Sequence, residues 1–141
     1  MRAARKIEVD TNVCIGCQAC SHICPVNLIS FRDDKKERVL QFPQTCAEDC
    51  SRCADACSEK AINLVKTDQA LEGIFAVKFP LKQCAHCGTS YATEPMVKKL
   101  AASIPALLVS VERDWLTMCL ECRRAAEAKQ LSGRALTSRP F

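Results

Sequence analysis

Cys14-Ile-Gly-Cys17-Gln-Ala-Cys20-Ser-His-Ile-Cys24-Pro25 sets four thiols into one short stretch and closes it with a proline. A second run, Cys46-x3-Cys50-x2-Cys53-x3-Cys57, follows. The first has the C-x2-C-x2-C-x3-C-P spacing that wraps a cubane iron–sulfur cluster, and each cubane needs four thiolates. Three cysteines two residues apart curl around one face of the cube, with the loop's N–H groups turned toward the sulfides. Gly16, lacking a Cβ, tolerates so tight a loop. The fourth cysteine lies three residues on, aims away, and in two-cluster proteins ligates the other cluster. The spacing therefore predicts Cys14, Cys17, Cys20 and Cys57 around one 4Fe-4S cluster, and Cys46, Cys50, Cys53 and Cys24 around a second.

Disulfides or zinc could also use these thiols. Disulfides need an oxidising compartment, and Met1 to Asp10 is charged with no apolar stretch behind it, unlike a secretion signal. Zinc favours paired C-x2-C knuckles over four closely spaced cysteines. The second run is the less regular one. It carries an extra residue after Cys46, and Ser58 stands where the first run has Pro25.

The chain has 141 residues, a formal net charge of +4 and only 5% aromatic residues. That length suits one or two small units, and metal sites can substitute for missing apolar burial in small units. Arg123, Arg124, Lys129, Arg134 and Arg139 concentrate positive charge near the C-terminus. They form a solvated helix face or a docking surface for an acidic partner. The longest apolar candidate, Ile104 to Val111, is too short to span a bilayer. Low aromatic content and the lack of a continuous basic stripe argue against nucleic-acid binding.

Residues 1–66 read as a unit that repeats itself: strand, cysteine loop, short helix, strand. Ile7 and Val9 alternate as a strand. Leu28–Phe31 and Val39–Phe42 form a hairpin with a polar tip at Asp33 to Lys36. Ala61–Val65 is the matching strand after the second loop. Ile15, Val26, Ile29, Phe31 and Ile62 are the expected packing around the clusters. Residues 67–83 read as a connecting strand or linker, with Ile74–Phe79 extended and Pro80 closing it.

Residues 84–133 hold the other four cysteines, as Cys84-Ala-His-Cys87 and Cys119-Leu-Glu-Cys122. Two isolated C-x2-C pairs suit a tetrahedral, closed, structural zinc site, and Gly88 suits the turn of a knuckle. A rubredoxin-like iron site and a third cubane are the alternatives. A helix lies between the knuckles, with Thr93 as N-cap, Pro95 in the first turn, and a core stripe of Met96, Val97, Leu100, Ala101 and Ile104. Leu107–Val111 reads as a strand. Arg123 to Leu131 reads as a helix stopped by Ser132-Gly133, with residues 134–141 as a tail. His22 and His86 are expected to be bystanders, because each lies beside a full set of thiols. No nucleophile, general base or open metal position is visible, so no active site is expected.

The chain resembles the ferredoxin-type subunit of formate-hydrogenlyase-like membrane nickel–iron hydrogenases, itself similar to the two-cluster subunit of respiratory complex I. The segments that carry the resemblance are Cys14–Pro25, Cys46–Cys57, Cys84 to Tyr91-Ala92-Thr93, and Cys119-Leu-Glu-Cys122-Arg123. Two features depart from that pattern: the irregular second loop, and a chain that begins almost at its first strand. The resemblance and the spacing together imply an α+β fold. A bacterial ferredoxin-like, pseudo-two-fold module with two 4Fe-4S clusters would precede a small zinc-ribbon-like module with a helix between its knuckles. The implied role is a non-enzymatic electron-transfer subunit working with other subunits of a redox complex. It would be cytoplasmic, or docked at the cytoplasmic face of a membrane complex. A free-standing ferredoxin shuttle is the rival reading within the same chemistry. A zinc-ribbon adaptor for nucleic acid or protein is the rival from another class.

Overall fold

The computed structural model describes residues 3–47, 49–104 and 116–137. Among the described residues eleven elements follow in order: β1 (Ala4–Val9), α1 (Ala19–Ile23), β2 (Ser30–Asp33), β3 (Glu37–Pro43), β4 (Thr45–Ala47), α2 (Arg52–Ala56), β5 (Ile62–Thr67), β6 (Ile74–Gln83), β7 (Ser90–Thr93), α3 (Glu94–Ser103) and α4 (Leu120–Thr137). Strands and short helices mix as α+β. One antiparallel sheet runs β4-β1-β5, and a second runs β2-β3-β6-β7.

Alternation explains the strands. In β3, Arg38, Leu40 and Phe42 share one buried face, with Val39 buried on the other and Gln41 exposed, and in β6 Val77, Phe79 and Leu81 alternate with exposed neighbours. Ile7, Ile29, Leu40, Phe42, Ala61, Ile62, Val77 and Phe79 form one core with Cys20, Cys53 and Cys57. Phe42 stacks on Phe75 with centroids 5.4 Å apart. β1 pairs β5 from Ala4↔Thr67 to Val9↔Ile62, so the first strand lies beside one made much later. The helices α1 and α2 carry the cysteine loops and pack on each other.

Several sequence expectations need correcting. Val26 is 63% exposed and Phe31 is 40% exposed, so neither is core, whereas Ile29 and Ile62 are buried. The first strand of the hairpin starts at Ser30, not Leu28. Pro80 does not close its strand. β6 runs on to Gln83, pairing β3 as far as Pro80 and β7 from Leu81 onward. Proline is tolerated where one partner strand gives way to the next. Ser132-Gly133 does not stop the last helix, which continues to Thr137. Ser132 Oγ–H donates back to the Ala128 carbonyl at 2.8 Å, a bond made within the helix.

The helix α3 begins as expected. Thr93 caps it, accepting the Met96 N–H at 3.3 Å, with Pro95 in the first turn. Its apolar stripe is not core, however, because no residue of α3 is buried. Met96, Val97 and Leu100 instead line a groove with Ile15, Leu116 and Leu120. The expected strand Leu107–Val111 lies outside the described residues.

Candidate metal centres

The two cysteine loops are built alike around their last two thiols. Cys20 and Cys53 each occupy the second position of a five-residue helix and are buried. Cys24 and Cys57 each follow their helix with extended backbone, at φ −65°, ψ 115° and φ −71°, ψ 111°. Three residues further on, Asn27 and Lys60 both turn left-handed, at φ 53° and 56°. Their N–H groups donate to the carbonyls of Cys24 and Cys57 at 3.3 and 3.2 Å. The next N–H, from Leu28 or Ala61, donates to the Cys24 or Cys57 sulfur at 3.4 Å in both loops. Ser58 in place of proline leaves this turn unchanged. The extra residue of the second loop is taken up upstream, where Cys50 N–H donates to the Ala47 carbonyl at 3.3 Å.

The thiols meet across the two halves. Cys24, Cys46, Cys50 and Cys53 line one cavity together with Ile7 and Ile29. Burial pushes the Cys46 thiol up, and Cys50 and Cys24 add charge repulsion. Burial likewise raises Cys14, helped by repulsion from Cys57 and Cys17 and opposed by the Gly16 N–H. Cys20 is pushed up to about 12, chiefly by burial, with Cys14, Cys17 and Cys53 repelling its negative charge. Burial also raises Cys53, with Cys46 and Cys50 adding to it. Burial pushes Cys24 up as well, but the N–H groups of Leu28, Val26, Ile29 and Asn27 outweigh it and bring the thiol down. Buried thiols that resist carrying charge beside one another are a donor set that soft metal ions neutralise. The residues present therefore fit iron–sulfur clusters.

The third group is separate in sequence and compact in space. The sulfurs of Cys84, Cys87, Cys119 and Cys122 all lie within 4.8 Å of one another. Cys84 leaves the end of β6, and Gly88, at φ 75°, turns the chain so that its N–H donates to the Cys84 carbonyl at 2.9 Å. Ala85 N–H donates to the Thr117 carbonyl at 2.9 Å, joining the two knuckles. Cys122 sits in the first turn of α4, and Arg123 Nε–H donates to the Met118 carbonyl at 2.8 Å. The N–H groups of Cys119 and Cys87 lower the Cys84 thiol to about 6. Hydrogen bonding from Thr89 lowers Cys87. Hydrogen bonds to Cys119 and Cys84 hold the Cys122 proton and push that thiol up to about 12. Hydrogen bonding thus favours the charged form at Cys84 and keeps the proton on Cys122. A metal dication would displace that proton.

The two histidines join none of these groups of sulfurs. His22 is exposed, its ring tilted against Phe31 at 5.9 Å, and His86 is exposed. Sequence reasoning missed the side chains that reach the first loop from outside. Arg38 Nη1–H donates to the Gly16 carbonyl at 2.8 Å across 22 residues. Thr93 Oγ1–H donates to the Ile15 carbonyl at 2.5 Å across 78 residues. Neither contact leaves a local signal in the sequence. Among the described residues, no helix is long and apolar enough to cross a membrane.

Comparison with known proteins agrees with this chemistry. Residues 13–62 match the 4Fe-4S dicluster domain family. A ferredoxin of Thermococcus litoralis is 36% identical over 59 residues, covering 42% of this chain and 97% of that protein. An uncharacterized protein of Methanocaldococcus jannaschii is 31% identical over 96 residues, 68% of this chain. The matched region spans only 22% of that larger protein.

Proposed function

The chain belongs to the ferredoxin-type iron–sulfur proteins, and from that premise we propose that it is an electron-transfer subunit within a multi-subunit oxidoreductase of the hydrogenase or complex I type. Cys14, Cys17, Cys20 and Cys57 hold one 4Fe-4S cluster in this reading, and Cys46, Cys50, Cys53 and Cys24 hold the other, related by a pseudo-two-fold. Each bound cluster supplies one-electron exchange with a redox partner. The chain's own residues bind the irons, bury the site and aim N–H groups at it, and no substrate bond is made here. The observation that carries the assignment is the shared cavity of Cys24 with Cys46, Cys50 and Cys53.

The third site holds zinc in this proposal. Four thiolates close a tetrahedron and leave no position for substrate. The site serves architecture and docking. What supports a subunit over a free shuttle is the half of the chain beyond the ferredoxin match. It carries the four-thiol site and an apolar groove that runs from Leu100 and Leu120 to Ile15 and Ser58, the neighbours of Cys14 and Cys57. Partner subunits dock on this half, at a cytoplasmic site or the cytoplasmic face of a membrane complex.

Anaerobic metal and sulfide analysis tests the proposal, with about eight irons and stoichiometric zinc expected per chain. Zinc in the first two cysteine runs, with little iron or sulfide, overturns the cluster reading. Cys57→Ala should damage mainly the cluster held by Cys14, Cys17 and Cys20, as read by electron paramagnetic resonance. Selective loss of the other signal overturns the crossed assignment. Elution as a lone chain from its native source overturns the subunit reading.

A further inference from the structure

Two buried side chains grip consecutive carbonyls of the first cysteine loop from outside. Thr93, with 0% of its surface exposed, holds the Ile15 carbonyl, and Arg38, at 8%, holds that of Gly16. A trans peptide is planar, with its C=O and N–H pointing opposite ways. Drawing the two carbonyls outward therefore turns the N–H groups of Gly16 and Cys17 toward the inside of the loop. No side chain can be added at Gly16 to shift this geometry. Its φ is +72°, and a Cβ would lie 2.9 Å from Phe79 Cδ2 and 3.1 Å from Thr93 Cγ2.

Arg38 also brings charge. Asp33 accepts from its Nε and Nη2 at 2.7 and 2.9 Å. The two ends of this pair are unequal, because the Arg38 side chain is 10% exposed and that of Asp33 is 40% exposed. Water screens the carboxylate, while the guanidinium faces the loop through low-dielectric protein. Among the described residues, no side chain donates a hydrogen bond to a carbonyl of the Cys46–Cys53 loop.

We infer that Thr93 and Arg38 are positioning residues that raise the reduction potential of the first 4Fe-4S site, through the N–H groups of Gly16 and Cys17 and a buried guanidinium, and leave the second site untouched. Reduction adds negative charge, which inward N–H dipoles and a buried cation stabilise. The inference rests on the reading that Cys14, Cys17, Cys20 and Cys57 hold a cluster.

The test is a dithionite titration of the anaerobically purified full chain, followed by electron paramagnetic resonance, with iron content and amide hydrogen exchange measured alongside. Thr93→Val keeps the methyl group on Gly16 and removes the donor. Arg38→Lys keeps a charge and loses the forked geometry. At the ambient potential where the parent's first site is half reduced, each variant should lose about tenfold in its reduced-to-oxidised ratio. For one electron that is about 59 mV. The second site should not move, Thr93→Ser should restore the parent value, and Gly16 and Cys17 amides should exchange faster in Thr93→Val. Unchanged first-site potentials in both variants with iron retained, or equal shifts at both sites, overturn the inference. If Thr93→Val loses iron, Arg38→Lys and Thr93→Ser decide between these outcomes. A parent chain without a first cluster is a failure of the functional reading. The exchange rates at Gly16 and Cys17 then decide whether the side chains hold the loop.

Discussion

Lys60 pays a conformational cost that its counterpart avoids. Both Asn27 and Lys60 turn left-handed three residues after the fourth cysteine of their loops. Asparagine visits that region readily because its short amide bonds the local backbone, whereas in lysine the crowding of Cβ against the following carbonyl costs about 1–2 kcal/mol. Lys60→Asn should therefore raise the apparent stability of the loaded chain by up to about 1 kcal/mol, and Asn27→Lys should lower it by a similar amount. Thermal unfolding under anaerobic conditions checks both, and equal midpoints for all three proteins would show that the turn carries no such strain. The same scale separates what was legible in the sequence from what was not. Cysteine spacing is local chemistry, so the 4Fe-4S character of the first two runs and the grouping of Cys84, Cys87, Cys119 and Cys122 could be read directly, and the N-cap at Thr93 could be read from its neighbours. The second use of Thr93, as donor to Ile15, depends on a partner 78 residues away. Arg38 looks like any hairpin residue until the fold lays it against Gly16.

At the scale of elements, the third site lies between the end of β6 and the start of α4, and each side contributes thiols of different acidity. Cys84, lowered to about 6 by the Cys119 and Cys87 N–H groups, is already charged at neutral pH. Cys122, pushed up to about 12, is not. Metal must always displace the Cys122 proton, but it must displace that of Cys84 only below about pH 6. Affinity should thus fall on acidification throughout, and about tenfold more steeply per pH unit below that point, where one further proton must be displaced. Competition with a coloured chelator across pH 5 to 8, roughly the range in which such thiols change charge, measures the slope. A constant slope would show that Cys84 is not the acidic ligand. Elements also show where sequence patterns mislead. An apolar stripe at helical spacing reads as core, but in α3 no residue is buried and the stripe lines a groove beside Ile15, Leu116 and Leu120. A proline reads as a strand end, but at Pro80 the partner strand changes and the extended chain continues.

Across the whole molecule, β7 connects two metal centres that the sequence suggests are independent. Tyr91 packs on the core of Cys84, Met118 and Cys119, and its hydroxyl donates to the Leu116 carbonyl. Two residues later, Thr93 reaches the first cysteine loop. Structural zinc in small units contributes on the order of 10 kcal/mol to folding, so if the third site holds zinc as proposed, its loss should be felt along this strand. Cys119→Ser with Cys122→Ser should keep both iron sites loaded and speed amide exchange over residues 14–17, with residues 46–53 unchanged. Hydrogen exchange read by mass spectrometry checks this, and identical rates in both loops would show that the centres are mechanically separate.

The pairing of β1 with β5 also sets a schedule. Every bond from Ala4↔Thr67 to Val9↔Ile62 joins chain leaving the ribosome early to chain leaving it late. The strand β1 can meet the short strand β4 once Ala47 has emerged, but its long partner β5 is complete only once Thr67 has. Until then Ile7 and the early cysteines travel with at most that three-residue edge beside them. Iron and sulfide that reached the nascent chain before then would meet an unfinished sheet, so the pace of synthesis through residue 67 would bear on how the sites are filled.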